Sequence, residues 1–340
     1  NGEWVLDPIL HTYDNLIDTF LANGYVEGQT LFRFGYDWER PNEITAHVLA
    51  GKIAEIKTIC GCNRVDIVAH SMGGLVALYY IENSEYADDV DQLFLVATPL
   101  MGAPKAYKTW EGGEVDFGNL PQNTLIKRIF TREAFENGFS NIFDYIRNKP
   151  IESIHELLPA YTDYLFAQDF TVITPPTNGF LETLLKNWGQ AYKKVQVNTI
   201  LADTTLDTTI GSFVVKPSTQ LPKWEHGEIT QTFFEAGDGT VPRMSIENVV
   251  GVEYKEFYGV DHTGVASTSS TYIFKELNSK EVSVTVGKNY NVLLDADYGI
   301  LANKLAPSPA DFRALADTVK DFLNENPVAR TVLFVLLFSP

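Results

Sequence analysis

The sequence predicts an α/β protein in which a mostly parallel sheet is flanked by helices. Three observations carry this. The run Arg64–His70 is largely apolar and Leu93–Ala97 continuously so, as expected for parallel strands covered on both faces. Between them, Leu75, Val76, Leu78, Tyr79 and Ile81 mark a mostly buried helix. The join between the first strand and that helix is Ala69-His70-Ser71-Met72-Gly73-Gly74, a serine on a sharp turn followed by glycines.

The first element is a helix. Asp7 is placed as its N-cap and Pro8 at its first position. Ile9, Leu10, Tyr13, Leu16, Ile17, Phe20 and Leu21 form one apolar face, and Gly24 ends it. Thr30–Phe34 reads as a strand, which brings Tyr36, Asp37 and Trp38 to a carboxyl edge, with Trp38 as a packing residue. At the serine turn the strand and helix must approach closely, a need that Gly73 meets and Gly74 assists, while Ala69 relaxes the G-x-S-x-G pattern by one methyl group. Beyond Thr98 a long stretch is rich in large apolar residues among short helical patterns: Phe130, Phe135, Phe139, Phe143, Tyr145, Tyr161, Tyr164, Leu165, Phe166 and Phe170, followed by Leu181, Leu184, Leu185 and Trp188. Most of these must form a small core of their own, leaving some to line an apolar pocket. Thr174–Gly179 is a break suited to a hinge. Val195–Leu201 and Val252–Tyr258 read as strands and Thr271–Leu277 as a closing helix. Glu281–Val286 and Tyr290–Ala296 read as a strand pair, Pro309–Phe322 as a helix, and Thr331–Phe338 as an apolar strand.

A serine hydroxyl is a weak nucleophile until a base takes its proton, and that base needs a third group to hold its tautomer. Beyond Ser71 only His155, His226 and His262 are available. His262 follows a strand and so sits in a loop at a carboxyl edge, where open parallel sheets collect their chemistry. His155 lies in a helix-like stretch and reads as packing, whereas His226 lies in a polar loop and reads as solvated. Asp238, in Gly237-Asp238-Gly239-Thr240, precedes His262 with one strand between them. Taken alone, Asp-Gly is a tight turn. Asp261 is the rival acid, but neighbours in an extended chain point in opposite directions; Asp203 and Asp207 are held in reserve. The backbone N–H of Met72 follows from the elbow as one donor to an oxyanion.

The chain has 340 residues and a net charge of −18, from 26 basic and 44 acidic residues. That balance argues against nucleic-acid partners and against electrostatic docking on anionic membranes. Cys60 and Cys62, separated only by Gly61, read as free thiols, too close for an unstrained bridge and too few for a structural zinc site. No stretch approaches the ~20 apolar residues of a membrane span. An Asn1 start fits a mature or excised product, and no leader is present in the sequence.

Tyr13-Asp14-Asn15-Leu16 through Gly28, Phe34–Glu43, Ala69–Gly73 and Gly237–Pro242 resemble, in the same order, the lecithin:cholesterol acyltransferase and lysosomal phospholipase family of α/β-hydrolases. Thr98–Pro104 is similar to a segment shared by that family and bacterial lipases. The resemblance implies an α/β-hydrolase core over residues 1–104 and 193–278 with a helical lid over 105–192, while the change of texture beyond Leu277 marks a small C-terminal module over 279–340. It also implies Ser71, Asp238 and His262 as a triad acting on lipid acyl esters, with no cofactor or metal, only transient contact with a lipid interface, and secretion or cell-surface location as the plausible setting. In the family an earlier strand and loop supply the second oxyanion donor, and both would lie before residue 1. The chain is then a fragment or a processed product, or the closing run 331–338 fills the vacant place in the sheet by permutation or association. The competing class is a hydrolase-fold lipid-binding or scaffold protein with an incomplete oxyanion hole. A peptidase or amidase would use the same machinery but has no independent support.

Overall fold

The computed structural model describes residues 12–114, 120–149, 151–278 and 332–335. The first part of the chain forms α1 (Asp14–Ala22), β1 (Leu31–Phe34), α2 (Asn42–Cys60), β2 (Val65–His70), α3 (Met72–Glu82) and β3 (Val90–Val96). The middle forms α4 (Lys105–Gly112), α5 (Leu120–Glu136), α6 (Ile142–Asn148), α7 (Glu152–His155), β4 (Leu165–Phe166) and α8 (Gly179–Lys194). Then follow β5 (Gln196–Asp203), β6 (Thr209–Lys216), β7 (Glu228–Glu235), α9 (Met244–Glu247), β8 (Tyr254–Tyr258), α10 (Val265–Thr268), α11 (Ser270–Asn278) and β9 (Val332–Val335). The N-cap expected at Asp7, the helix start at Pro8 and the elements expected across 281–322 lie outside the described residues. In the described part α1 begins at Asp14, with Thr12 and Tyr13 in a turn ahead of it.

Six strands make a parallel sheet in the order β1-β9-β2-β3-β5-β8. The two-residue period of a strand sorts its side chains between the faces. Val65, Ile67 and Ala69 of β2, with Leu93 and Leu95 of β3, join a cluster with Leu49 and Ile53 of α2 and Leu75 and Leu78 of α3. Val68 of β2, with Phe94 and Val96 of β3, packs on the other face against Leu16 and Phe20 of α1 and Ile273 and Leu277 of α11. Each such fully buried large side chain contributes about 1.5–3 kcal/mol. This two-sided burial is why the centres of β2 and β3, Ile67–Ala69 and Leu93–Val96, are apolar.

The closing apolar run contributes β9, which lies between β1 and β2 and is parallel to both. Its register sets Val335 beside Ala69, two residues before Ser71. The closing run thus supplies the strand that joins β1 to β2 in the main sheet.

A further buried cluster gathers elements outside the six-stranded sheet. Tyr107 of α4, Phe130 of α5, Tyr145 of α6, Ile154 of α7, and Tyr164 and Leu165 share one buried cluster with Phe213 and Val215 of β6 and with Trp224. The antiparallel ribbon β6–β7, extended by β4 into a three-stranded sheet, is not anticipated by the sequence pattern. Helix α8 belongs elsewhere: its Leu181, Leu184 and Trp188 pack in the same cluster as α3, on the main sheet. The break ahead of it is anchored at its last polar side chain. Asn178, 1% exposed, caps α8 by accepting the Leu181 N–H and donates its amide to the carbonyls of Glu156 and Leu158.

The reading of Cys60 and Cys62 as free thiols is also corrected, because they are bridged to each other. Gly61 ends α2 at φ 64, a left-handed conformation open to glycine. The chain turns there and brings the two Cα atoms to 5.2 Å, inside the usual span of a disulfide. No helix among the described residues is long and apolar enough to cross a membrane.

Candidate active site

Ser71 lies between the last residue of β2 and the first of α3, with φ 55 and ψ −132. A non-glycine residue there carries strain of about 1–3 kcal/mol, which the surroundings must hold. They do so from two sides. The Ser71 N–H donates to the Val96 carbonyl of β3 at 2.8 Å, and the Ser71 carbonyl accepts from the Gly74 N–H at 3.0 Å. A Cβ at Gly74 would lie 2.0 Å from Thr98 Oγ1, so close passage of the elbow past the end of β3 depends on glycine at this position. Met72 opens α3, and the first amides of a helix have no acceptor within it.

His262 reaches the serine from the loop after β8. Its Nε2 is 2.9 Å from Ser71 Oγ and its Nδ1 is 2.7 Å from Asp238 Oδ2. A carboxylate accepts only, so Nδ1 carries the proton and Nε2 is left to accept from the hydroxyl. The other carboxylate oxygen of Asp238 accepts the N–H groups of Thr240 at 2.9 Å and Val241 at 2.7 Å. Both oxygens are thus committed. The His262 N–H in turn donates to the Asp238 carbonyl at 2.9 Å. Asp238 is 2% exposed and His262 5%.

The acid arrives by a route that the sequence pattern does not foretell. β5 ends at Asp203, the chain leaves the main sheet through β6 and β7, and it returns at Gly237, whose carbonyl accepts the Thr204 N–H at 2.9 Å. Asp238 is thereby set at the end of β5, next to β8 and the loop carrying His262.

The remaining candidates are engaged elsewhere. Asp203 pairs with Arg243 at 3.0 Å, and Asp261 accepts the Gly264 N–H at 2.7 Å. Asp207 lies exposed in the loop between β5 and β6. His155 packs against Trp110 with the rings tilted and their centroids 4.7 Å apart, and burial lowers its pKa. His226 is not simply solvated: its Nδ1 is 3.0 Å from the fully buried Glu111 carboxylate.

One neighbour of the site belongs to the serine motif but has no role in the sequence reading. His70, 1% exposed, has Nδ1 2.9 Å from the Tyr13 hydroxyl and Nε2 2.9 Å from the His262 carbonyl. A histidine at the end of a largely apolar, doubly covered strand is the available signal, because a buried imidazole needs partners. Among the described residues no cluster of metal-binding side chains occurs.

The family described as Lecithin:cholesterol acyltransferase matches residues 5–290. Phospholipase A(1) LCAT3 of Arabidopsis thaliana is 33% identical over 103 residues, covering 29% of this chain and 23% of that protein. Lysosomal phospholipase A and acyltransferase of Bos taurus is 31% identical over 111 residues, covering 31% of this chain and 26% of that protein. The matched segments thus span about a quarter of these curated relatives. Among solved structures, the mature form of the Bacillus licheniformis lipase BlEst2 aligns with a TM-score of 0.38 at 14% identity, covering 70% of this chain and 74% of that one. The Tle4–Tli4 complex aligns with a TM-score of 0.42 at 13% identity, covering 69% and 65%.

Proposed function

Because the chain belongs to the lecithin:cholesterol acyltransferase family, we propose that it cleaves or transfers acyl groups of lipid esters through Ser71, His262 and Asp238. The observation that carries this reading is the unbroken relay from Ser71 Oγ through His262 to Asp238, at 2.9 and 2.7 Å, on a strained elbow. His262 Nε2 takes the hydroxyl proton as Ser71 Oγ bonds to the acyl carbon. The carbonyl oxygen becomes an oxyanion facing the Met72 N–H. As the carbonyl reforms, the ester C–O bond breaks and the imidazolium returns its proton to the leaving alkoxide, releasing an alcohol and leaving an acyl-serine. Water, or an alcohol in a transferase, then attacks by the same steps in reverse. Asp238 keeps the proton on Nδ1 and offsets the imidazolium charge.

The rival reading, a lipid binder lacking catalysis, rests on an incomplete oxyanion hole, for which the Met72 N–H is the one donor the elbow offers. The triad reading is tested by labelling with a serine-directed phosphonate and by hydrolysis of p-nitrophenyl esters from acetate to palmitate, with Ser71→Ala as control. Labelling confined to Ser71 and activity lost in the variant support it. An unlabelled Ser71, or turnover that survives Ser71→Ala, overturns it. Chain-length preference separates an esterase from a lipase, and adding an acceptor alcohol separates transfer from hydrolysis.

A further inference from the structure

We infer that His70 and Tyr13 are positioning residues of the ester-cleaving site: a hydroxyl-to-imidazole-to-carbonyl chain from α1 through β2 clamps the backbone of His262. The inference rests on the reading of Ser71, Asp238 and His262 as the triad.

The direction of each bond is forced. The His262 carbonyl only accepts, so His70 Nε2 carries a proton and donates to it at 2.9 Å. Nδ1 of the neutral ring is then bare and accepts the Tyr13 O–H at 2.9 Å. Tyr13 is 2% exposed and meets the His70 ring edge-on, with centroids 5.6 Å apart. Its hydroxyl fixes which tautomer His70 adopts. The opposite tautomer would turn a bare Nε2 against a bare carbonyl oxygen.

His262 is consequently held at both backbone groups, its N–H by the Asp238 carbonyl and its C=O by His70. Its ring is held at both nitrogens, by Asp238 and Ser71. Two backbone contacts and two ring contacts leave the imidazole little freedom to swing away from Ser71. Loops at a carboxyl edge otherwise move readily, and misplacement of a base by a fraction of an ångström is costly in rate.

Neutrality of His70 matters as much as its bonds. Its ring centroid is 4.8 Å from that of His262, so a second cation there would oppose the imidazolium that forms during the reaction. Burial, and then the nearby His262, lower its pKa to about 3. The titratable groups around it are Tyr13 and His262, with Tyr36 beyond Tyr13.

Two measurements test the clamp. The first uses the wild-type chain with 15N-labelled histidine, where ring nitrogen shifts report tautomer and charge. A neutral His70 with its proton on Nε2 throughout pH 5–8 is expected; titration in that range, or a proton on Nδ1, overturns the inference. The second compares Tyr13→Phe, His70→Leu and His70→Gln in ester hydrolysis. Leaving a buried acceptor unpaired should cost ~10- to 100-fold in kcat for Tyr13→Phe and His70→Leu, with KM within about twofold. His70→Gln keeps an N–H donor of similar reach and should recover most of that loss. Phosphonate labelling of Ser71 should slow in step with kcat. Should Ser71→Ala abolish turnover while Tyr13→Phe and His70→Leu keep full kcat, the clamp fails and the triad reading stands. Turnover indifferent to Ser71 would remove the triad reading itself, while the ring shifts still report the hydrogen-bond chain.

Discussion

Asp238→Asn is the sharpest probe of the relay, because the structure dictates how the new amide must lie. In the wild type Oδ1 accepts two backbone N–H groups, from Thr240 and Val241, at 2.9 and 2.7 Å. An asparagine in the same place has to keep its carbonyl oxygen there, since an NH2 facing two N–H donors would leave three buried donors unsatisfied. The NH2 is then turned toward His262 Nδ1, where the carboxylate oxygen sits at 2.7 Å. Now Nδ1 must accept, the ring proton moves to Nε2, and Nε2 faces Ser71 Oγ as a donor. In that tautomer the ring cannot take the serine proton. A loss of ~10,000-fold in kcat is expected, the size of the wrong-tautomer effect when the triad aspartate of a serine protease becomes asparagine. The side chain keeps its volume and its two backbone bonds, so the melting temperature should stay within a few degrees. The assay is steady-state hydrolysis of a p-nitrophenyl ester with thermal melting in parallel. A variant that retains a tenth of wild-type kcat while folded would refute the assignment of Asp238, and Asp203→Asn, already committed to Arg243, is the control expected to leave the relay alone.

Three further outcomes follow from single features. Gly74→Ala forces a methyl to within 2.0 Å of Thr98 Oγ1, and should cost about 1–3 kcal/mol with a visible drop in melting temperature and in kcat; an unchanged melt would mean the elbow has slack. Burial first, then the carboxyls of Glu133 and Asp37, push Glu39 up to about 7 from an ordinary 4.5, with Lys149 opposing. Its neutral form suits the fold, so its contribution is complete below pH 4.5 and is lost as pH rises through 7. The full shift would correspond to ~3 kcal/mol, which partial solvent access reduces to about 1 kcal/mol. Glu39→Gln should therefore melt with wild type at pH 4 and about 2 °C above it at pH 8.5; parallel curves across that range count against it. Finally, the unreduced protein should show no titratable thiol and the reduced protein two. So short a loop limits the stabilisation from the bridge to about 1–2 kcal/mol by the chain-entropy argument.

What is legible in the sequence follows from local rules. β2 and β3 are covered on both faces, and so their central residues, Ile67–Ala69 and Leu93–Val96, are apolar. The serine turn announces itself because a strand, a small-residue turn and a buried helix must succeed one another. His262 is identifiable by its place after a strand. What is not legible depends on long-range pairing. Thr209–Lys216 and Glu228–Glu235 carry β-branched and aromatic residues, but their antiparallel pairing, and the return of the chain to Gly237, are tertiary facts. The Cys60–Cys62 bridge escapes a spacing rule framed for an extended chain, whereas the left-handed Gly61 folds the segment back. Leu181, Leu184 and Trp188 look like neighbours of the aromatic insertion and in fact cover the main sheet, since helical periodicity names an apolar face without saying what it meets.

The strain at the elbow is best understood together with its neighbour on β3. Ser71 at φ 55 and Ala97 at φ 49 are both non-glycine residues in the left-handed region, at the same edge of adjacent strands. Two such residues would cost about 1–3 kcal/mol each, a sum no isolated loop would hold. Here each is fixed through the sheet. Ser71 donates to the carbonyl of Val96, and Ala97 donates to that of Ile200 on β5 at 2.9 Å. The kink at Ala97 also directs Thr98, fully buried, into the space left by the absent side chain of Gly74. The two bends therefore interlock, and neither relaxes without displacing the other. On the triad reading, a serine held this way would present Oγ to His262 without reorganisation.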